Sequence, residues 1–425
     1  MGTDWEAKPI ADLVEAHTAG FWGSEPAGTE GIRVLRSTNL TENGRLDYSK
    51  IVIREFPSLK VEQKRLLRGD ILLERSGGGP QQPVGRVAIF DNDELFSFSN
   101  FMQRLRPTAG CDRWWLFYSL WNLHATGQTV RMQRATTGIR NLDYAEYLAY
   151  PLQVPPLPEQ RKIAAILSSV DEAIEKTQAV IDQVQVVKKG LMQELLTRGL
   201  PGRHKKFKQT EIGEIPEEWQ VVQLGDLIAS FIDYRGRTPK KLGMEWGGTI
   251  PALSAMNVQD GRIDLSRPTK YGSAALYERW MASGPPEKGD VLLTMEAPLG
   301  NVAQIPDDRQ YILSQRVLLL RPDEQRLLKS FLFWTLRADE FQSRMRSSST
   351  GTTATGIQRK RLVKLPVALP LRGEQAKISR ICDAVECGLN ARQAEIIAIR
   401  HVKQALMSVL LTGELPVQPN GDTPR

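Results

Sequence analysis

The sequence has few cysteines and histidines and no long apolar run. Its three cysteines, Cys111, Cys382 and Cys387, are too sparse for a disulfide framework, and its four histidines form no cluster. We therefore expect a reducing compartment and no metal centre. No apolar run reaches the roughly 18 residues that a membrane span needs. The N-terminus has early acidic residues and no apolar signal core, so a cytoplasmic location is expected.

Several motifs of nucleotide chemistry are also missing. The GGG run at 77–79 has no following Lys-Ser/Thr, as a P-loop requires, and lacks the spacing of a dinucleotide fingerprint. No Asp/Asn-Pro-Pro-Tyr/Phe stretch and no glycine-rich S-adenosylmethionine loop are present. These absences argue against catalysis by this chain and against a cofactor bound to it.

What the chain does have is the composition of a globular protein and an excess of positive charge. With 425 residues, of which 41% are hydrophobic and 25% charged, it is long enough for two or three domains. The net charge of +7 permits nucleic-acid binding without establishing it.

Two segments repeat each other at a constant offset of 215 positions. Residues 151–201 and 366–416 align without a gap, and 20 of their 51 positions are identical. Weaker similarity continues upstream, for example between GDILL at 69–73 and GDVLL at 289–293, and between TGI at 137–139 and TGI at 355–357. The chain is therefore predicted to contain two copies of one unit.

The strongly similar segments predict two long helices with a heptad seam. Apolar residues recur at alternating steps of four and three. Lys188 and Lys403 interrupt the two seams at equivalent positions, as do Thr177 and Arg392. Prolines before residue 159 prevent an earlier start of the first helix. The predicted seam residues are Ile163, Leu167, Val170, Ile174, Ile181, Val184, Leu191 and Leu195 in the first helix, and Ile378, Val385, Leu389, Ile396, Ile399, Leu406 and Leu410 in the second.

Each helix is predicted to run for about 39 residues, or about 58 Å. Two ordinary surface helices, each packed on its own domain, are the simpler alternative, but ordinary helices average only about 11–12 residues. Matching seams favour packing of the two helices on each other. Because each helix follows its own domain in the sequence, we expect an antiparallel coiled coil and a pseudo-twofold axis.

The segments before each long helix predict an α+β fold with mixed sheets. KIVIREF, GDILLERS, GRVAIF and RVLLLRP predict short strands, and RWWLFYSLWNL and SFLFWTLRADEFQ predict helices at matching positions. The predicted organisation is a first domain at 1–154, a long helix at 155–200, a linker and second domain at 201–369, a second helix at 370–413 and a flexible tail at 414–425.

Polar, basic loops stand between these elements in both units. Their side chains are of the types that contact phosphates and base edges, with glycine allowing close backbone approach. For any single loop a solvated turn is the favoured interpretation, but matching loops in both units, taken together, favour DNA contact. The candidate residues are Arg75, Ser76, Gln81, Gln82, Arg86, Arg134, Thr137, Arg140, Arg235, Arg237, Lys240, Asn301, Arg344, Thr355, Gln358 and Arg359.

The sequence resembles the specificity subunit of type I restriction-modification enzymes. The resemblance is carried by YPLQVPPLPEQRKIAAILSSVDEAIEKT at 150–177, KKGLMQELLTRG at 188–199 and FKQTEIGEIPEEWQVVQLGDL at 207–227, and it covers essentially the whole chain. The second helix departs from the pattern by beginning LPLRGEQ and by carrying Cys382 in its seam.

The resemblance implies a non-catalytic subunit in which each domain is a target recognition domain. One domain would read each half of a split, asymmetric sequence in double-stranded DNA. The helices would separate the two domains and dock two modification (methyltransferase) subunits, which restriction (motor and nuclease) subunits then join. S-adenosylmethionine for adenine-N6 methylation, and ATP and Mg²⁺ for restriction, would belong to those partners.

Two alternatives remain. The chain could be a stand-alone DNA methyltransferase or nuclease, which an assay of the purified protein with cofactor would decide. It could also be a coiled-coil scaffold without a DNA role, which would leave the paired polar loops unexplained. A salt-dependent shift of DNA would argue against the scaffold.

Overall fold

The computed structural model describes residues 5–79, 82–136, 139–282, 284–350 and 356–417. The chain forms two compact units. Unit 1 comprises residues 1–179 and 394–425, and unit 2 comprises residues 180–393. Each unit thus contains one α/β body together with part of each long helix.

The body of unit 1 is built from short strands and four helices that precede the first long helix. The strands are β1 (Glu6–Pro9), β2 (Val14–Ala19), β3 (Ile32–Leu35), β4 (Val52–Arg54), β5 (Ile71–Glu74), β6 (Ser76–Gly78), β7 (Val87–Ile89), β8 (Phe96–Phe98), β9 (Met102–Pro107), β10 (Gln133–Thr136), β11 (Ile139–Leu142) and β12 (Pro151–Val154). The helices are α1 (Ser58–Lys64), α2 (Arg113–Ala125), α3 (Gln128–Arg131), α4 (Tyr144–Ala149) and the long α5 (Leu157–Thr197).

The body of unit 2 has a similar sequence of elements and adds two small hairpins. Its strands are β13 (Phe207–Thr210), β14 (Gly213–Pro216), β15 (Gln220–Gln223), β16 (Ile228–Asp233), β17 (Ile250–Leu253), β18 (Val258–Gln259), β19 (Arg262–Ile263), β20 (Lys270–Gly272), β21 (Val291–Met295), β22 (Leu299–Gln304), β23 (Ile312–Leu313), β24 (Val317–Pro322) and β25 (Pro366–Leu369). Its helices are α6 (Ala274–Trp280), α7 (Lys329–Arg337), α8 (Asp339–Ser347), α9 (Arg359–Leu362) and the long α10 (Arg372–Leu410).

Both units arrange their principal sheets in the same way. Unit 1 has a four-stranded sheet in the order β2-β9-β5-β7, and unit 2 has one in the order β16-β24-β21-β22. A three-stranded sheet accompanies each, β4-β3-β8 and β20-β17-β23, with one antiparallel and one parallel pairing. A strand pair, β1-β12 or β15-β25, leads into each long helix. The mixed α+β architecture and the internal repetition of sheet order agree with the sequence prediction.

Apolar side chains of the strands and of α2 or α7 form the cores. In unit 1, Leu105 of β9 and Trp115 of α2 are buried together with Leu167 of α5 and Leu410 of α10. In unit 2, a matching cluster includes Leu195 of α5 and Ile378 of α10. Within each unit, therefore, one end of α5 packs near the opposite end of α10.

One predicted helix differs from the structure. The segment SFLFWTLRADEFQ was expected to be continuous, but it forms α7 and α8, which are separated at Ala338. Ala338 has an extended backbone (φ −62°, ψ 137°), which a continuous helix does not allow. The amide of Gln342 donates to the carbonyl of Leu336 over 2.6 Å, which satisfies one carbonyl at the end of α7.

The two long helices begin after prolines and contain the predicted seam residues. All fifteen of these residues are buried or half-buried, with Ile163, Leu167, Leu195 and Ile378 fully so. The side chains at the interruptions differ: Lys403 is buried, Lys188 and Thr177 are half-buried and Arg392 is exposed. The seam is thus the covered face of each helix.

The described part of the chain contains neither a membrane-spanning helix nor a cluster of metal-ligating side chains. Among residues 5–79, 82–136, 139–282, 284–350 and 356–417, no helix is both long and apolar enough to cross a membrane. No group of three or more His, Cys, Asp or Glu side chains in that part of the chain is placed to hold a metal ion.

Candidate nucleic-acid interface

The candidate residues of unit 1 are brought together by a small sheet in the order β10-β11-β6. Ser76, Arg134 and Arg140 lie on its three strands, so two loops far apart in sequence form one polar surface. The Ser76 hydroxyl hydrogen-bonds the side chain of Asn141. Arg75 is exposed, with its guanidinium 5.4 Å from the centre of the Tyr144 ring. Arg134 is exposed and pairs with Asp143.

Arg86 is placed differently from its neighbours because its guanidinium points into the domain. Its Nε and one terminal nitrogen donate to the two carboxylate oxygens of Glu74, each over 2.8 Å. The same guanidinium also donates to the carbonyls of Leu40 and Ser37, each over 3.1 Å. A hydrogen bond from Arg86 to Glu74 raises the pKa of the arginine. Gln82, by contrast, is exposed beside this network.

In unit 2, Arg235 and Arg359 are brought to one place. Arg235 donates to both carboxylate oxygens of Asp233, over 2.8 and 2.5 Å. Burial raises the pKa of the Asp233 carboxyl, but the hydrogen bonds from Arg235 outweigh it, with a smaller contribution from the charge of Arg359, and leave the pKa below its ordinary value. The Arg359 guanidinium lies 4.5 Å from the centre of the Phe231 ring.

Three further candidates of unit 2 lie on separate elements. Arg237 is exposed, donates to the Trp280 carbonyl over 2.9 Å and lies over the Tyr234 ring. Lys240 is exposed in the short 3-10 turn Pro239–Leu242. Asn301 is held internally, because its backbone N–H donates to Thr294 Oγ1 over 2.8 Å and its side-chain amide donates to a main-chain carbonyl.

The remaining candidates precede the second long helix or fall outside the described residues. Arg344 of α8 is half-buried, and burial lowers its pKa. Gln358 is exposed at the start of α9. Gln81, Thr137 and Thr355 lie outside the residues that the structure describes.

The loop that precedes α9 contacts the segment that follows β21. Gly356 forms isolated β-bridges with Glu296 and with Thr350. Glu296 follows β21, just as Arg75 follows β5 in unit 1. Each unit therefore pairs the segment after its central strand with the TGI-containing segment before its long helix.

The sequence analysis did not predict two salt bridges between the long helices. Lys188 of α5 pairs with Glu386 of α10, and Lys403 of α10 lies 2.6 Å from Asp171 of α5. Residues 188 and 403 are equivalent at the offset of 215, as are 171 and 386. The sequence alignment at this offset places lysine opposite lysine and acidic residue opposite acidic residue. That match was a sequence signal for two equivalent salt bridges.

A second pair of equivalent contacts ties each body to a long helix. The indole of Trp5 donates to Glu159 over 3.1 Å, and the indole of Trp219 donates to Glu374 over the same distance. Gln160 likewise accepts from the backbone of Asp112 over 2.8 Å. The side chain of Gln375 accepts the backbone N–H of Leu328 over 2.9 Å. The Glu-Gln pairs that repeat in the sequence are therefore docking residues for the bodies.

Comparison with known proteins gives one family. The family model described as "Type I restriction modification DNA specificity domain" matches the chain twice, at residues 2–185 and 216–398. The two matches together cover most of the chain, with one match for each repeated unit.

Curated relatives match over nearly their full length. The chain is 24% identical over 418 residues to a putative type I restriction enzyme specificity subunit, MjaX, of Methanocaldococcus jannaschii, covering 98% of this chain and 94% of the relative. It is 27% identical over 430 residues to the MjaVIII specificity subunit of the same organism, with the same coverage of both chains.

Two solved structures have a similar fold. A type I restriction-modification S subunit from M. genitalium matches with a TM-score of 0.57 and 15% identity, covering 96% of each chain. A chain from work on complex assembly and conformational transition of the type I R-M system matches with a TM-score of 0.56 and 16% identity, covering 97% of this chain and 98% of the other.

Proposed function

Since this chain belongs to the family of type I restriction modification DNA specificity proteins, we propose that it is the sequence-specificity subunit of a type I restriction-modification enzyme. It binds a bipartite, asymmetric target in double-stranded DNA, and each recognition domain reads one half-site. The observation that carries the proposal is that one α/β body occurs twice, with the same sheet order but with different polar loops.

Different loops on the same scaffold account for two unlike half-sites. In unit 1 the polar surface contains Ser76, Arg134 and Arg140, whereas in unit 2 it contains Arg235 and Arg359. Exposed arginines and polar side chains on loops are suited to base edges and phosphates. The side chains of Arg86 and Asn301, which are bonded within their own domains, position those loops rather than read DNA.

The two long helices act as the spacer between the recognition domains. We assign the first domain to residues 1–154, the first helix to 155–200, the linker and second domain to 201–369, the second helix to 370–413 and a tail to 414–425, of which residues 418–425 lie outside the described part of the chain. The helices form an antiparallel coiled coil with pseudo-twofold symmetry. The equivalent pairs Lys188–Glu386 and Lys403–Asp171 support this arrangement, because antiparallel helices exchange such contacts reciprocally.

The chain itself is non-catalytic in this proposal, and its partners supply the chemistry. Two modification subunits dock on the helices and methylate adenine N6 with S-adenosylmethionine, which they bind. Restriction subunits add ATP- and Mg²⁺-dependent cleavage. The complex acts in the cytoplasm, where its DNA target and both cofactors are present.

Mapping of methylated adenine across the genome tests the proposal. Cells that make the modification subunit are compared with and without this chain. A split motif with two unlike halves that appears only with the chain is the expected result. Methylation that is unchanged by the chain would contradict the proposal, and the purified chain incubated with S-adenosylmethionine and DNA would then test it as a stand-alone enzyme.

A further inference from the structure

A short turn stands before the same strand in both domains, outside the polar loops that hold the candidate residues. We call it the pre-strand turn: residues 99–101 before β9 in unit 1 and residues 314–316 before β24 in unit 2. The two turns are equivalent at the offset of 215 and both begin with serine. The backbone N–H of Ser99 donates to Leu35 and that of Ser314 to Leu253, each over 2.8 Å.

In unit 1 the turn is fixed to the polar loop and presents a phenylalanine to solvent. The carbonyl of Phe101 accepts the backbone N–H groups of Arg75 and Ser76, over 2.9 and 3.2 Å. The Phe101 side chain is nonetheless 47% exposed. This large apolar ring beside Arg75 contributes little to the core, because about half of its surface is exposed to solvent.

In unit 2 the equivalent position carries an arginine in an unusual backbone conformation. Arg316 has φ +67°, a region that residues other than glycine rarely adopt. Its carbonyl accepts the N–H of Met295 over 2.9 Å, which matches the bond made by Phe101. Its half-exposed guanidinium lies 3.4 Å from Glu296, the residue that bridges to Gly356.

We propose that the pre-strand turn is a base-reading element in both domains, with Phe101 and Arg316 as its specificity-determining residues. This inference rests on the proposed function. Phe101 makes an apolar contact with a base, for which the thymine methyl group is suited, and Arg316 donates to the edge of a guanine. Glu296 holds the guanidinium in the free protein and gives it up to the base.

The position of the turn leaves its side chains able to contact DNA bases, in addition to supporting the neighbouring polar loop. Backbone hydrogen bonds fix the turn to the segment after the central strand and to the neighbouring sheet, while the side chains at 101 and 316 remain about half exposed. Phe101 lies next to the Ser76 strand, and Arg316 lies next to the segment after β21 that meets Gly356. Each turn therefore extends the polar surface of its own domain.

The test compares four variants of the full chain in its complex with the modification subunit. Phe101→Ala and Arg316→Ala change the turns. Leu95→Ala and Arg309→Ala are matched controls, because both residues are exposed but precede the neighbouring strand, whereas the turn follows it. Methylated-adenine mapping gives the motif, and binding of duplexes that carry the wild-type motif gives the affinity.

We expect each turn variant to relax the motif at one or two adjacent positions, in one half-site only and in opposite halves for the two variants. Affinity for the wild-type duplex should fall by at least fivefold, while both controls keep the wild-type motif and affinity. Three results would overturn the inference: an unchanged motif, a uniform loss of affinity with an unchanged motif, or relaxation of both halves by one variant. Because the wild-type complex reports the split motif independently, failure of these variants is distinct from failure of the proposed function.

Discussion

Lys403 places its ammonium 2.6 Å from Asp171 at a position where the heptad pattern calls for an apolar side chain. Both side chains are only 8% exposed. Tyr118 donates its hydroxyl to the same carboxylate over 2.7 Å, and the Lys403 ammonium lies 4.8 Å from the centre of the Trp121 ring. A buried lysine and a buried aspartate thus satisfy each other beside the recognition domain, and Lys188 with Glu386 repeats the pair in unit 2.

Removal of Lys403 is expected to leave Asp171 buried without its counter-charge. We predict that Lys403→Met lowers the free energy of unfolding by about 3–5 kcal/mol, since breaking one side of a buried ion pair exposes the desolvation penalty of the other. Adding Asp171→Leu to that variant should restore most of the loss. Chemical denaturation measures the unfolding free energy of the single and the double variant. Lys176→Met, which removes an exposed pair with Glu172, is the control and should change stability by less than about 1 kcal/mol.

Substitutions at Arg86 and Arg75 should differ in their effect on stability, because Arg86 has a structural role and Arg75 is a candidate DNA contact. Arg86→Lys cannot reproduce four hydrogen bonds to Glu74 and two carbonyls, so we expect a loss of about 3 kcal/mol in the unfolding free energy. Arg75→Lys, at an exposed site, should change stability by less than about 0.5 kcal/mol. Denaturation of the two variants tests this, and equal stability of both would contradict the assignment of Arg86 as a positioning residue.

Asp290 should make the stability of unit 2 depend on acid pH. Burial raises its pKa, but hydrogen bonds from Arg321 and Lys329 outweigh it and keep the pKa below the ordinary value of 3.8. The unfolded chain therefore takes up the proton first, so this contribution is complete above about pH 5 and is lost as pH falls through 3.8 towards the native pKa.

The variant Asp290→Asn should therefore be less stable than wild type at neutral pH and should lose less stability on acidification. Unfolding free energies measured between about pH 6 and pH 3 give the two slopes. Asp308→Asn, at an exposed site of the same unit, should cost less than about 0.5 kcal/mol at neutral pH. An identical slope for wild type and Asp290→Asn would show that this carboxylate does not carry the effect.

Lengthening both long helices should lengthen the DNA spacer. One heptad inserted in each helix at equivalent positions adds about 10 Å, or about three base pairs at 3.4 Å each. We expect the methylated motif to keep both half-sites and to gain about three base pairs between them. Mapping of methylated adenine in cells with the variant tests this. An unchanged DNA spacer would contradict the proposal that the helices set the distance between the half-sites.

The sequence was sufficient to predict the elements that depend on local pattern. The seam residues from Ile163 to Leu410 follow a heptad period, and the repeated Glu-Gln pairs stand out at the offset of 215. The break at Ala338 could not be predicted, because no proline or glycine marks it and α7 ends there in contacts with distant residues. Arg337, for example, donates to Asp260 over 2.8 Å across 77 residues.

The candidate interface shows the same limit. Residue type alone could not distinguish Arg86, which is bonded inside its domain, from Arg75, which is exposed. Neither could it select Phe101, because a phenylalanine in a strand-rich segment is expected to be buried. Long-range packing decides which side chains of a polar loop remain available, and that information is absent from the loop itself.

The equivalent indole contacts of Trp5 with Glu159 and of Trp219 with Glu374 are interactions that the two halves of the chain share. These shared contacts attach each body to a long helix, whereas the polar loops differ in sequence between the two halves. Phe101 and Arg316 occupy one position at which the two halves differ, although the carbonyl there accepts an equivalent backbone hydrogen bond in each half. If the proposed function holds, the differences between the two halves mark the positions at which a new DNA preference could be introduced.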